Sequence, residues 1–369
     1  MRARAIVDVG AVERNCARLA TVAGEAELCA VVKADGYGHG AVPCAAAALA
    51  GGATWLAVAT AAEAAELRAE LAEAARLLVL GAMAREELDT ALAAGAHLAA
   101  WRPDFLELVA ARGRELGIRP QVHVKYDTGM GRLGARDAAV VEELAAAAAT
   151  SPDLDLAGVW THFATADEDD RGFLTEQLDR FLAVAEPLRE RHPGLLLHAA
   201  NSAATLVEPR AHLDLVRCGV AVYGLDPFQR DPAEQGLEPA LELRSRVADV
   251  KRFEAGDSAG YGRTWRAPGP TAVAVLPIGY GDGVRRGLSN RADVLINGRR
   301  RPLVGNVSMD NITVDLGPET DVEPGAEAVL IGAQGDERIL AEELAAALGT
   351  INYEVTCGIS SRVPRELRS

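Results

Sequence analysis

The stretch ELCAVVKADGYGHG, Glu27–Gly40, decides how the chain is read. Its first residues form a short, mostly apolar run, as a buried strand requires. A lysine closes the run, and Gly36, Gly38 and Gly40 follow at alternate positions. A phosphate loop of the strand–loop–helix kind places its lysine after the glycines, where the helix opens. Here Lys33 comes first, so it needs another role. Downstream the same alternation returns, an apolar run followed by an Ala/Glu/Leu/Arg-rich helical stretch. The further runs are WLAVAT (55–60), RLLVLG (76–81), AHLAAW (96–101), QVHVKYD (121–127), LAGVWTHF (156–163), LLLHAANS (195–202) and LDLVRCGVAVYG (213–224).

Eight strands alternating with helices over about 200 residues are the pattern of a closed parallel barrel. After Gly224 the texture changes. DPFQRDPAEQGLEP (226–239) is rich in proline and acid and reads as a linker. Beyond it come short alternating strands with turn residues between them, including Asn297-Gly298. The expected fold is α/β: a (β/α)8 TIM-type barrel over 1–236, followed by a mostly β domain over 237–369 with one helix near 341–349. The opening RAIVDV is not needed as a barrel strand and is expected to pair with the second domain.

The 369 residues carry a formal charge of -15, which argues against nucleic acid as a partner. Only three of the 38 basic residues are lysines: Lys33, Lys125 and Lys251. Arginine stays charged, whereas a buried lysine can lose its proton and act as a nucleophile. The surviving lysines are therefore the better candidates for chemistry. Five cysteines without a C-x-x-C pair read as free thiols in a reducing compartment. No leader-like apolar segment opens the chain. The uncharged run 40–62 is broken by Pro43 and Gly51-Gly52, so no membrane span and a cytoplasmic setting are expected.

In barrels of this type the chemistry sits at the C-terminal ends of the strands. Those ends carry Lys33, then Lys125 with Asp127, His162, Asn201 with Ser202, and Arg217 with Gly219. Each alone has a plain structural reading, such as a core histidine or an ion pair. Their convergence from five strands favours function. The loops after the last two strands are the usual phosphate site. Ser202 offers a hydroxyl there, and Gly219 and Val220 offer backbone N–H groups. A lysine that forms an imine must be neutral, and burial lowers its pKa by roughly 3–5 units at the extreme. A phosphate cradle with such a lysine suggests pyridoxal 5'-phosphate (PLP). A barrel aldolase acting on a sugar phosphate is the competing reading.

With these residues in place, the chain resembles the alanine racemases, PLP enzymes of fold type III. The resemblance runs through VVKADGYGHG (31–40), VKYDTGMGRLG (124–134), WTHFATAD (160–167), HAANSAATL (198–206), VRCGVAVYG (216–224), AGYGRTW (259–265), LPIGYGDG (276–283), VSMDNITVD (307–315) and INYEVTCGISSRVPR (351–365). It implies that Lys33 carries the cofactor and serves as the base on one substrate face. Tyr261, from the partner subunit of a homodimer, is implied as the base on the other. Tyr37, Ser202, Gly219, Val220 and Tyr353 are implied around the phosphate, with Asn201 adjoining. Arg217 is implied at the pyridine nitrogen with His162 behind it. Arg132 and the backbone of Met309 are implied at the substrate carboxylate, with Asp310 beside Met309. Lys125 matches a lysine that is often carbamylated and orients the arginine. Tyr280 and Tyr353 narrow the entry channel, and Arg286 keeps its family identity. No metal is implied.

Two departures stand out: Ser308 where many relatives have cysteine, and Asn306 where many have arginine. The expected activity is interconversion of L- and D-alanine, supplying D-alanine as a peptidoglycan precursor. The alternatives are a broader small-amino-acid (serine) racemase and a non-catalytic PLP-binding homeostasis protein. The latter lacks a β domain, which AGYGRTW and VSMDN argue for here.

Overall fold

The computed structural model describes residues 2–72 and 74–369. Its first ten strands are β1 (Ala3–Asp8), β2 (Glu27–Val31), β3 (Trp55–Val58), β4 (Arg76–Val79), β5 (Ala96–Ala100), β6 (Gln121–Lys125), β7 (Asp155–Trp160), β8 (Leu196–His198), β9 (Leu215–Cys218) and β10 (Leu241–Arg246). The chain divides into two compact units. One takes the chain up to Ala11, Tyr37–Gly40 and Tyr223–Ser369; the other takes Val12–Gly36 and Ala41–Val222. From the sequence the division is expected at 236/237, with Tyr37–Gly40 in the barrel.

In the second of these units, β2 to β9 form one parallel sheet in the order β8-β7-β6-β5-β4-β3-β2-β9. The seam between β8 and β9 is bridged by backbone bonds from Asp214 to Leu197 (3.1 Å) and from Arg217 to Ala200 (2.9 Å). The sheet is thus nearly closed as a barrel. Helices follow the strands, among them Ala61–Leu71, Pro103–Leu116, Ala138–Thr150 and Gly172–Arg191. They cover the outer face, which is why β3 and β9 are buried at every residue. The interior is tight: a Cβ at Gly158 would collide with the ring of His123.

The Lys33 segment differs from its sequence reading. The strand stops at Val31. Ala34, Asp35, Gly36 and Tyr37 then take left-handed φ values of 54°, 53°, 59° and 53°. Such a turn costs an L residue roughly 1–2 kcal/mol per position. Glycine relieves only one of the four, so hydrogen bonds must hold the rest. Ala34 N–H donates to Glu63 Oε1 (2.7 Å), Gly36 N–H to the Val32 carbonyl (3.0 Å), and Ala41 N–H to Asp35 Oδ1 (3.0 Å). The other oxygen of Glu63 accepts from Ala59 and Thr60 and completes the capping box of the helix Ala61–Leu71. One carboxylate therefore serves both a helix start and the turn after Lys33.

In the other unit a large, mostly antiparallel sheet runs in the order 249–253, 271–276, 312–317, 299–304, 293–296, 327–334, β10, β1 and 365–368. β1 lies antiparallel to β10 and parallel to 365–368. The proline- and acid-rich 226–239 stretch is anchored rather than loose. Asp226 is buried; its N–H donates to Glu342 (3.0 Å), and its carbonyl accepts from Asn352 (2.8 Å). Composition reads as linker there because proline and acid are common in linkers, but the buried backbone groups of Asp226 have found internal partners.

Replacing Glu63 by Ala should lower stability by about 2 kcal/mol, since it removes a cap and the Ala34 acceptor together. Urea denaturation measures this. An unchanged midpoint would show that the left-handed turn is held without Glu63.

Candidate active site

Arg217, in β9, is 3% exposed. One guanidinium nitrogen, Nη1, donates to His198 Nδ1 (2.9 Å), and Nη2 donates to the carbonyls of Thr161 (2.7 Å) and Ala199 (3.1 Å). The group lies over Trp160, 4.7 Å from the ring centre. Every one of these partners is neutral, and among the described residues no carboxylate forms an ion pair with it. Burial draws its pKa down to about 10, with the Cys29 and Cys218 thiols opposing the shift. It remains a cation at neutral pH.

Lys125, at the end of β6, is the deeply buried lysine, 4% exposed, with Nζ 4.1 Å from the Trp160 ring centre. Burial, then Arg217 and Arg132, lower its pKa to about 7 against an opposing pull from Asp127; Lys33 adds to the lowering. Asp127 does not form an ion pair with it. Its carboxylate accepts N–H bonds from Gly129 (3.1 Å) and Gly131 (3.0 Å), closing its own loop. Arg132 is exposed and Lys33 half-buried. Four basic groups thus share this end of the barrel, and Asp127 is committed to its own loop.

His162 is held well below the ordinary imidazole range by burial and then by Arg217, Arg132, Lys125 and Lys33, so it is neutral. Its Nδ1 stands 3.5 Å from Arg217 Nη2. The closer imidazole is His198, which the sequence reading quotes in a motif without assigning it a role. Its signal was alternation: His198 stands two residues before Ala200, near a strand end, in line with Leu196.

Ser202 Oγ accepts N–H bonds from Gly219 (2.9 Å) and Ala221 (3.4 Å), which leaves its own O–H to donate. Asn201 uses its carboxamide oxygen to cap the helix Ser202–Val207 through Ala204 N–H (3.0 Å). Val220 opens a short 3₁₀ turn after Gly219.

In the β unit, Tyr261 is 75% exposed on a 3₁₀ turn, and Gly260 and Gly262 beside it have φ of 71° and 73°. Asn306 Nδ2 donates to the Tyr261 carbonyl (2.7 Å), so the departure from arginine here anchors the tyrosine's backbone. Tyr280 and Met309 lie on paired segments, joined by Tyr280 N–H to the Ser308 carbonyl and Gly281 N–H to the Met309 carbonyl (both 2.9 Å). Asp310 binds Arg362 (2.7 Å). Arg286 is exposed; its carbonyl accepts from Ser289 Oγ (2.6 Å), and that oxygen accepts from Val307 N–H (3.0 Å). Tyr37 and Tyr353 are neighbours, with ring centres 6.0 Å apart.

Residues 7–227 match the family described as "Alanine racemase, N-terminal domain", and residues 240–367 match "Alanine racemase, C-terminal domain". The alanine racemase of Symbiobacterium thermophilum is 44% identical over 97% of this chain and 95% of its own length. The solved alanine racemase of Streptomyces coelicolor superposes with a TM-score of 0.93 at 40% identity, covering 99% of this chain and 98% of that one. A Bacillus anthracis alanine racemase solved with bound L-Ala-P has a TM-score of 0.89 at 37% identity, covering 100% of this chain and 95% of that one. The chain belongs to the alanine racemases, a family of isomerases.

Proposed function

We propose that this isomerase interconverts L- and D-alanine with bound PLP, using Lys33 and the partner subunit's Tyr261 as its two bases. The observation that carries the reading is the buried Arg217 cation, which the protein supplies only with neutral acceptors. Such a charge is costly to enclose alone. With Lys33, Lys125 and Arg132 near it, the barrel end suits an electron-rich ring and anionic groups, which describes PLP and an amino-acid carboxylate.

Bound PLP would supply an electron sink for the charge left on the substrate α-carbon when its proton is removed. Ser202 and the backbone at Gly219 and Val220, with Tyr37 and Tyr353, are proposed to hold the phosphate. Arg217 can donate to a ring nitrogen without giving up its proton. Lys33 Nζ takes or returns a proton on one face and Tyr261 Oη on the other. Two bases on opposite faces invert a carbon with little substrate movement. Arg132 and the Met309 backbone are proposed to orient the carboxylate. Lys125, once carbamylated, becomes an anion able to hold Arg132 through paired hydrogen bonds.

A homodimer is part of this reading. Tyr261, Tyr280, Met309 and Ile351 are large and exposed on the β unit, and a second copy of the chain would cover them. A cytoplasmic setting belongs to it too. Among the described residues no helix is long and apolar enough to cross a membrane.

Mixing inactive Lys33→Ala and Tyr261→Ala subunits should restore about a quarter of wild-type activity, because half the dimers are mixed and each keeps one intact site. No recovery after verified subunit exchange would overturn the shared site. Lys125 has its own pH signature. Its lowered pKa makes the amine increasingly neutral, and so reactive toward carbon dioxide, as pH rises through about 7. An ordinary lysine stays protonated to near ~10. With ¹³C-bicarbonate, a carbamate NMR signal should grow over that range and vanish in Lys125→Arg. A signal absent at every pH would contradict this role.

A further inference from the structure

Three histidines run through the barrel interior in direct contact. His97 Nδ1 in β5 is 3.0 Å from His123 Nε2 in β6, and His123 Nδ1 is 2.9 Å from His198 Nε2 in β8. His198 Nδ1 in turn receives Arg217 Nη1. Tryptophans hold the rings in place. Trp55 meets His97 and His123 edge-on, with centres at 4.7 and 5.7 Å, and Trp160 stacks on His198 at 5.6 Å and 3°. His123 and His198 are fully enclosed, and His97, at the far end, is 8% exposed.

Arginine only donates, so the direction of every bond in the chain is settled at that end. His198 must present a bare Nδ1 and carry its proton on Nε2. That N–H donates to His123 Nδ1, which puts the His123 proton on Nε2. This N–H in turn donates to His97 Nδ1. A second proton on any ring would set two N–H groups head to head. The titratable and charged groups facing the chain are Arg76 beside His97, and Arg217 and Lys125 beside His198, none of them a carboxylate side chain. Burial first and then Arg76 lower the His97 pKa to about 4, so the outermost ring is neutral as well.

We propose that His97, His123 and His198 form a tautomer-locked chain that fixes the Arg217 guanidinium, which makes His97 a positioning residue for the cofactor contact at the opposite end. The proposal deepens the reading of Arg217 as the ring-nitrogen partner and rests on it. Removing the His97 acceptor leaves the His123 Nε2–H without a partner inside the core, so nothing at that end holds the His123 ring against His198. Arg217 still sets the tautomers, but the His123–His198 and His198–Arg217 bonds would lengthen, and the guanidinium would lose its fixed place. A purely space-filling His97 would transmit nothing over that span.

The test is ¹⁵N NMR of histidine-labelled, full-length protein freed of cofactor, together with kinetics of the PLP-loaded enzyme. In the wild type, all three rings should be neutral Nε2–H tautomers at pH 7. In His97→Leu, the His123 and His198 rings should stay Nε2–H but their ¹⁵N signals should shift as the hydrogen bonds weaken, and kcat should fall roughly tenfold with the alanine KM unchanged. His97→Asn, whose amide oxygen can accept from His123, should restore both. An imidazolium or Nδ1–H His198 in the wild type overturns the proposal, and this holds even if His97→Leu fails to fold. So does a folded His97→Leu with unaltered His198 signals and kcat. Failure of the wild type to bind PLP would instead strike the functional reading, since the tautomers are read without cofactor.

Discussion

A cation enclosed without a counter-ion is the constraint on which the barrel end depends. Arg217 is held by two carbonyls, an imidazole and the face of Trp160. Those partners take three of its five N–H groups but do not cancel its charge. The neighbourhood does not cancel it either, because Lys125 and Arg132 add to it and Asp127 is committed to its own loop. The consequences spread through the site. Burial first, and then this charge, keep the imidazoles of His162 and His198 neutral and bring Lys125 to where it can lose its proton near pH 7. An excess of positive charge that the fold maintains is a standing preference for anionic and electron-rich ligands.

Next to this rigid centre, Lys33 stands on a segment under backbone strain. The left-handed turn from Ala34 to Tyr37 is kept by Glu63, Val32 and Asp35 rather than by glycine alone. Strained backbone persists where its surroundings over-determine it, and such places concentrate at functional sites. The turn also passes the chain from one compact unit to the other within a few residues, and Tyr37 ends among the rings of Tyr223 and Tyr353. A close approach follows directly: a Cβ at Gly38 would collide with the Thr356 carbonyl.

Much of the architecture was legible because parallel strands buried on both faces leave continuous apolar runs between helical stretches. All eight runs named from the sequence overlap a strand of the barrel sheet. The polar residues at their C-terminal ends were legible for the same reason, since they interrupt those runs. What was hidden depends on three-dimensional neighbours. Burial lowers the pKa of Lys125, and no single strand announces that burial. Glu63 looks like a surface helix residue, yet it braces the turn after Lys33. His97 and His123 sit in ordinary apolar runs, and only the barrel's closure brings them into one line with His198. The anchoring of 226–239 escaped notice because its partners, Glu342 and Asn352, lie more than a hundred residues further on.

Two lysines compete for the central role. Lys125 is the more buried, while Lys33 adjoins the strained, braced backbone. Borohydride reduction of the PLP-loaded protein, followed by peptide mass analysis, separates them. The predicted result is a yellow protein whose reduced pyridoxyl phosphate is fixed on the peptide containing Lys33, with the Lys125 peptide free of it. An adduct on Lys125, or a protein that retains no chromophore, would contradict the assignment of this barrel end as a PLP site built around Lys33 and Arg217.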